Sequence, residues 1–109
     1  MSSSTTTSTA SRVAIVSGAA QGIGKSIALR LASDGFDVVI NDLPNKFEEL
    51  EIVANIVKAI PSRKALSIVG DASSEVDVSM LISRTLTEFG GLHVVRIFLH
   101  LNLKVVFDS

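Results

Sequence analysis

At 109 residues and 11.5 kDa, the chain has room for one small domain or a part of a larger one. Ten Lys+Arg against eleven Asp+Glu leave a net charge of −1, which argues against the clustered basic surface that nucleic acid or an anionic membrane would need. The absence of Cys excludes disulfides, thiol catalysis and Cys-ligated zinc, and Tyr and Trp are absent too.

The N-terminus is Ser or Thr from position 2 to position 9, and only Arg12 follows as a cation. It has neither the apolar core of a secretory signal nor the repeated Arg of a transit peptide, so residues 1–11 read as a disordered tail and a cytoplasmic location is expected. Apolar stretches run to about five residues, far short of the roughly 18 to 20 of a spanning helix, so no membrane segment is expected.

Val13-Ala14-Ile15-Val16 is a short apolar run that suits a strand buried on both faces. A glycine-rich turn, Ser17 to Gly24, follows it. Ile23, Ile27, Ala28, Leu31 and Ala32 then recur at helical spacing, and Gly35 marks the helix end. Phe36 to Ile40 is a second strand, closing at Asn41-Asp42. After the turn at Pro44-Asn45, a helix face is marked by Phe47, Leu50, Val53, Ala54, Val57 and Ile60, with Pro61 as its stop. Ala65 to Val69 is a third strand, ending at Gly70-Asp71. Ser74 with Asp77 fits the start of a helix whose face is Val78, Leu81, Ile82, Thr85, Leu86 and Phe89. Gly90-Gly91 closes it, and Leu92 to Val95 opens a fourth strand. The β-α-β-α-β-α-β order predicts an α/β fold: a Rossmann-type doubly wound parallel sheet, truncated after about the fourth strand.

The turn reads SGAAQGIG between a strand and a helix. Gly18 permits the tight turn, Gly22 lets the backbone approach a pyrophosphate, and Gly24 lets the helix pack closely; the first helical N–H groups then point at the phosphates. Gly24-Lys25-Ser26 ends like a P-loop, but the first glycine of that motif would fall on Ala19, so Lys25 reads as a solvated helix residue. Asp42 lies 18 residues beyond Gly24, about the spacing of a carboxylate that accepts hydrogen bonds from an adenosine ribose. An acid there repels a 2′-phosphate, and Ala19, Ala20 and Gln21 bring no cation, so NAD is expected over NADP, although Lys46 lies nearby.

Over residues 12 to 95 these motifs resemble the short-chain dehydrogenase/reductase family, whose phosphate loop is T-G-x-x-x-G-x-G; Ser17 stands here for the Thr. The resemblance implies a cofactor site made by Gly18, Gln21, Gly22, Ile23, Gly24, Asp42 and Leu43, with Asp71-Ala72 as the adenine-contacting pair. SGAAQGIGKSIALRLASDGF with an Asp-ended second strand is similar to NAD-dependent acetoin/diacetyl reductases. Full-length members are usually homo-oligomers. The family's N-N-A-G would fall where this chain reads Arg96-Ile97-Phe98-Leu99-His100, and its catalytic Tyr, the general acid/base of a Y-x-x-x-K pair, has no counterpart in a chain without Tyr. No catalytic residue is therefore assigned. His93 and His100 lack a partner carboxylate at a useful spacing, and no metal site is expected.

The resemblance implies a partial dinucleotide-binding domain (12–95) of an NAD-dependent oxidoreductase, and a divergent tail (96–109) is expected after it. The alternatives are a non-enzymatic dinucleotide- or partner-binding module and a truncated product without function. In the tail, Leu99, Leu101, Leu103, Val105 and Phe107 alternate with other residues, the pattern of a possible edge strand. With no fifth parallel strand to cover it, the fourth strand is expected to be an unpaired edge that promotes association.

Overall fold

The computed structural model describes residues 12–98 and 104–108; the Ser/Thr tail at 1–11 and the alternation at 99–103 lie outside them. The strands are β1 (Arg12–Ser17), β2 (Phe36–Asp42), β3 (Ala65–Val69), β4 (Val94–Phe98) and β5 (Lys104–Asp108). Three helices alternate with the first four: α1 (Gly22–Ser33), α2 (Phe47–Lys58) and α3 (Glu75–Phe89). The sheet order is β3-β2-β1-β4-β5.

β1 and β2 are buried along almost their whole length, which is why Val13 to Val16 and Val38 to Ile40 are continuous apolar runs rather than alternating ones; Asp37 and Asn41 of β2 are buried polar residues. They pair in parallel from Arg12↔Phe36 to Ser17↔Asn41. β3 continues the sheet beside β2, and β4 lies parallel to β1 on its other side. Ala14, Val16, Val38 and Ile40 face Ala28, Ala32, Leu50, Val53 and Val57 of α1 and α2. Val13, Ile15, Val39 and Val95 face Leu81 of α3. Helices thus cover both faces of four parallel strands, the Rossmann-type arrangement.

The expected unpaired edge is not at β4. β5 pairs with it antiparallel, from Val94↔Asp108 to Phe98↔Lys104, and satisfies backbone groups that would otherwise face solvent. β4 also begins two residues later than Leu92. His93 makes the junction with β1, and Leu92 packs toward the α3 side of the core.

The α1 stripe lies where expected at Ile27, Ala28, Leu31 and Ala32, and only Ile23 departs from it. Its buried residues are Gly24, Ala28 and Ala32, four apart, while Ile23 is 70% exposed. The smallest side chains meet the sheet, so helix and sheet approach closely; apolarity alone favours the larger residues. A short 3₁₀ turn, Pro44–Lys46, leads into α2 and leaves Phe47 exposed, and Leu86 of α3 is exposed as well. α3 follows its sequence signals: Ser74 Oγ accepts from the Asp77 N–H at 3.2 Å, and Gly90 closes the helix in the left-handed region at φ 76°.

Candidate functional site

Four elements meet at the carboxyl ends of the strands, the crevice where open α/β sheets bind ligands. A cavity of about 550 Å³ opens there, lined by Gly18, Gln21, Asn41, Asp42, Leu43, Lys46, Gly70, Asp71, Ala72 and Ser73.

The glycine turn sets the first wall. Gly18 and Gly22 sit at φ 64° and 63°, a region that costs an L side chain roughly 1–2 kcal/mol. Gly24 is required for a different reason: a Cβ there would lie 2.0 Å from the Gly18 carbonyl oxygen. α1 therefore starts hard against the turn. Its N-cap, Gln21, makes no side-chain cap hydrogen bond, so the first turn presents backbone N–H groups without a capping oxygen. Such an end favours a negative charge.

Asp42 ties this wall to the next. Its Oδ2 accepts from the Ala20 N–H at 3.0 Å and its Oδ1 from the Leu43 N–H at 2.8 Å. Together with the Ala19 N–H donating to the Asn41 carbonyl at 3.0 Å, these bonds fix the turn on the end of β2. Each carboxylate oxygen retains capacity for a further donor. Lys46 Nζ donates to Gln21 Oε1 at 3.4 Å, which places a cation at the rim.

The third wall follows β3. Asn41 is buried, and its Nδ2 donates to the Ile68 carbonyl at 2.8 Å and the Gly70 carbonyl at 3.4 Å, locking β2 to the end of β3. Asp71 accepts from Ser73 Oγ at 2.6 Å and from the Ser73 N–H at 2.9 Å, and these two bonds, the hydroxyl first, hold its carboxyl below the usual range. The Asp71 N–H donates to Asp77 Oδ2 at 2.8 Å, which anchors the loop to α3.

Of the residues expected at the site, Gly18, Gln21, Asp42, Leu43, Asp71 and Ala72 line this one cavity. Gly22, Ile23 and Gly24 form the first turn of α1 and are not part of the lining. Lys25 is also outside it and is half-buried on α1. Asn41, Gly70 and Ser73 were not read from the sequence as site residues. The signal for Asn41 was a polar residue ending an apolar strand; Ser73 carried none beyond lying two residues after Asp71. Among the described residues no group of His, Asp and Glu could hold a metal, and no helix is long and apolar enough to cross a membrane.

Residues 12–97 match the sequence profile of the short chain dehydrogenases. The chain belongs to the short-chain dehydrogenase/reductase family. It is 49% identical over 84 residues to a family member from Armillaria gallica, covering 77% of this chain and 32% of that one. A family structure from Burkholderia cenocepacia, in complex with NADP, superposes with a TM-score of 0.73 at 36% identity over 77% of this chain and 34% of the other. One from Burkholderia phymatum, in complex with NAD, gives a TM-score of 0.70 at 26% identity over 79% of this chain and 30% of the other. This short-chain dehydrogenase/reductase chain therefore spans about a third of the length of the relatives it matches.

Proposed function

We propose that the chain binds NAD in the crevice at the carboxyl ends of β1 to β3, as the nucleotide-binding part of a short-chain oxidoreductase. The reaction of the whole protein is then hydride transfer between the nicotinamide and an alcohol or ketone, with acetoin/diacetyl as the pair suggested by the SGAAQGIGKSIALRLASDGF pattern. The observation that carries this reading is the Asp42 carboxylate, clamped by the Ala20 and Leu43 N–H groups inside the cavity between the glycine turn and the Asp71-Ala72 loop.

The residues fit such a ligand. Gly18, Gln21, Gly22, Ile23 and Gly24 would hold the pyrophosphate, whose charge suits the uncapped start of α1. Asp42 would take the ribose hydroxyls on its remaining lone pairs, and the exposed Leu43 with Asp71 and Ala72 would border the adenine. When bound, the nicotinamide supplies the hydride acceptor; this chain's residues bind and orient it. No Tyr occurs in the 109 residues, so we assign no proton transfer to them. The alternative reading is a dinucleotide-binding module without turnover. A cytoplasmic location accords with both readings.

Titration calorimetry with NAD and NADP tests the proposal. NAD should bind more tightly, and Asp42→Asn should move the ratio toward NADP by about tenfold through loss of the repelling charge. NADP binding equal to or tighter than NAD in the unaltered chain would overturn the role given to Asp42. Absence of binding by either dinucleotide would overturn the site. Turnover of acetoin or diacetyl that copurifies with the chain would overturn the assignment of binding alone.

A further inference from the structure

His93 stands just before β4, and its ring acts where a strand would offer a backbone carbonyl. The Val13 N–H donates to His93 Nδ1 at 3.0 Å, and the His93 N–H donates to the Val13 carbonyl at 2.9 Å. One residue of β1 is thus bonded twice to a residue 80 positions away. Val13 is only 3% exposed, so water is a poor substitute for the ring.

A ring nitrogen accepts a hydrogen bond only when it carries no proton. With Nδ1 accepting, the neutral ring holds its proton on Nε2. A second proton turns Nδ1 into a donor aimed at another donor, and the bond to Val13 is lost. The bond matters because this junction is short. β1 and β4 pair only from Ala14↔Val94 to Val16↔Arg96, half the length of the β1–β2 pairing. The His93–Val13 pair extends that ladder at its open end.

The surrounding elements carry Arg12 on β1, Arg96 on β4, Asp37 and Asp42 on β2, Glu75, Asp77, Arg84 and Glu88 on α3, and Lys104 and Asp108 on β5. Asp37 lies opposite Val13 and is already engaged: it accepts from the Lys64 N–H at 2.9 Å and pairs with Arg63 at 3.6 Å. Asp108 stands in register with Val94.

We propose that His93 is a proton-operated latch that holds β4, and with it the β4–β5 hairpin, on β1. The neutral ring closes the latch and the charged ring opens it. Gain of the second proton therefore loosens the hairpin as the pH falls. The latch sits at the opposite end of the strands from the cavity and does not depend on its ligand.

Amide hydrogen exchange by NMR on the full chain tests this. After correction for intrinsic exchange, protection of Val13 and of Val94 to Arg96 should fall about tenfold between pH 7.5 and 5.5, while Val38 to Ile40 on β2 stay constant. In His93→Asn, whose amide oxygen accepts at any pH, the fall should vanish. Constant protection at Val13, an equal fall on β2, or an unchanged fall in His93→Asn would each overturn the proposal. If that variant does not fold, the ¹⁵N shifts of the unaltered ring decide: a bare Nδ1 at pH 8 that titrates in step with Val13 exchange supports the latch, and a protonated Nδ1 at pH 8 overturns it.

Discussion

The β1–α1–β2 unit and the β4–β5 hairpin are joined through the same strand, yet they are held by different means. Between β1 and β2 the pairing runs from Arg12 to Ser17 without interruption. It is closed at one end by Asp42 bonding the turn, and Arg12 adds its guanidinium 4.4 Å from the centre of the Phe36 ring. Turn, helix start and strand pairing all require the same geometry there. β4 meets β1 over a shorter register, helped by a single side chain, and its other neighbour runs antiparallel. Where several local demands agree, one substitution that violates the geometry should be felt throughout; where pairing is short, the losses should stay local.

The sharpest way to break this comparison is Gly24→Val. A Cβ 2.0 Å from the Gly18 oxygen forces α1 off the turn, and we expect a loss of at least ~3 kcal/mol in thermal or denaturant unfolding. Val95→Ala probes the hairpin side. Val95 is 3% exposed, and its truncation should cost about 2 kcal/mol, with amide protection lost mainly in β4. A larger cost for Val95→Ala than for Gly24→Val would reverse the ranking of the two regions.

Gly22→Ala separates conformation from collision within the glycine turn. Beyond its chain neighbours and its own helix backbone nothing lies within 4 Å of its Cβ position, so only the φ of 63° is strained, and unfolding should cost about 1 kcal/mol. Calorimetry should show a proportionally larger loss of NAD binding, because the added methyl group occupies open space where the phosphates are proposed to lie. The smallest effect is expected at the exposed Asp71. Ser73→Ala removes the hydroxyl that does most to lower its titration, so the midpoint should rise toward the ordinary carboxylate value in an NMR pH titration. The sign follows from linkage: stabilisation by a depressed carboxyl is present above its ordinary midpoint and disappears as the pH falls through the depressed one, so the variant should lose that window.

Much of the site was legible because its chemistry is local. The spacing of Gly18, Gly22 and Gly24, and the position of Asp42 at a strand end, follow from backbone rules that act over a few residues. Asn41 was not legible as a brace. Its partners, the Ile68 and Gly70 carbonyls, lie 27 and 29 positions away, and only the arrival of β3 beside β2 makes them neighbours. On α1 only Ile23 departed from the expected stripe: close approach to the sheet placed Gly24, Ala28 and Ala32 at the contact and left Ile23 in solvent.

By itself, then, the amino-acid order determined the alternation of strands and helices, the turn that begins α1 and the family to which these residues belong. Those properties arise from periodicity and from the few conformations that Gly, Pro and capping side chains allow. Tertiary structure decided which strand borders β4, how far Ile23 stands in solvent, and that the His93 ring meets the Val13 amide. Each of these depends on groups distant in the chain competing for the same backbone edge or the same buried surface, and no local rule carries that information.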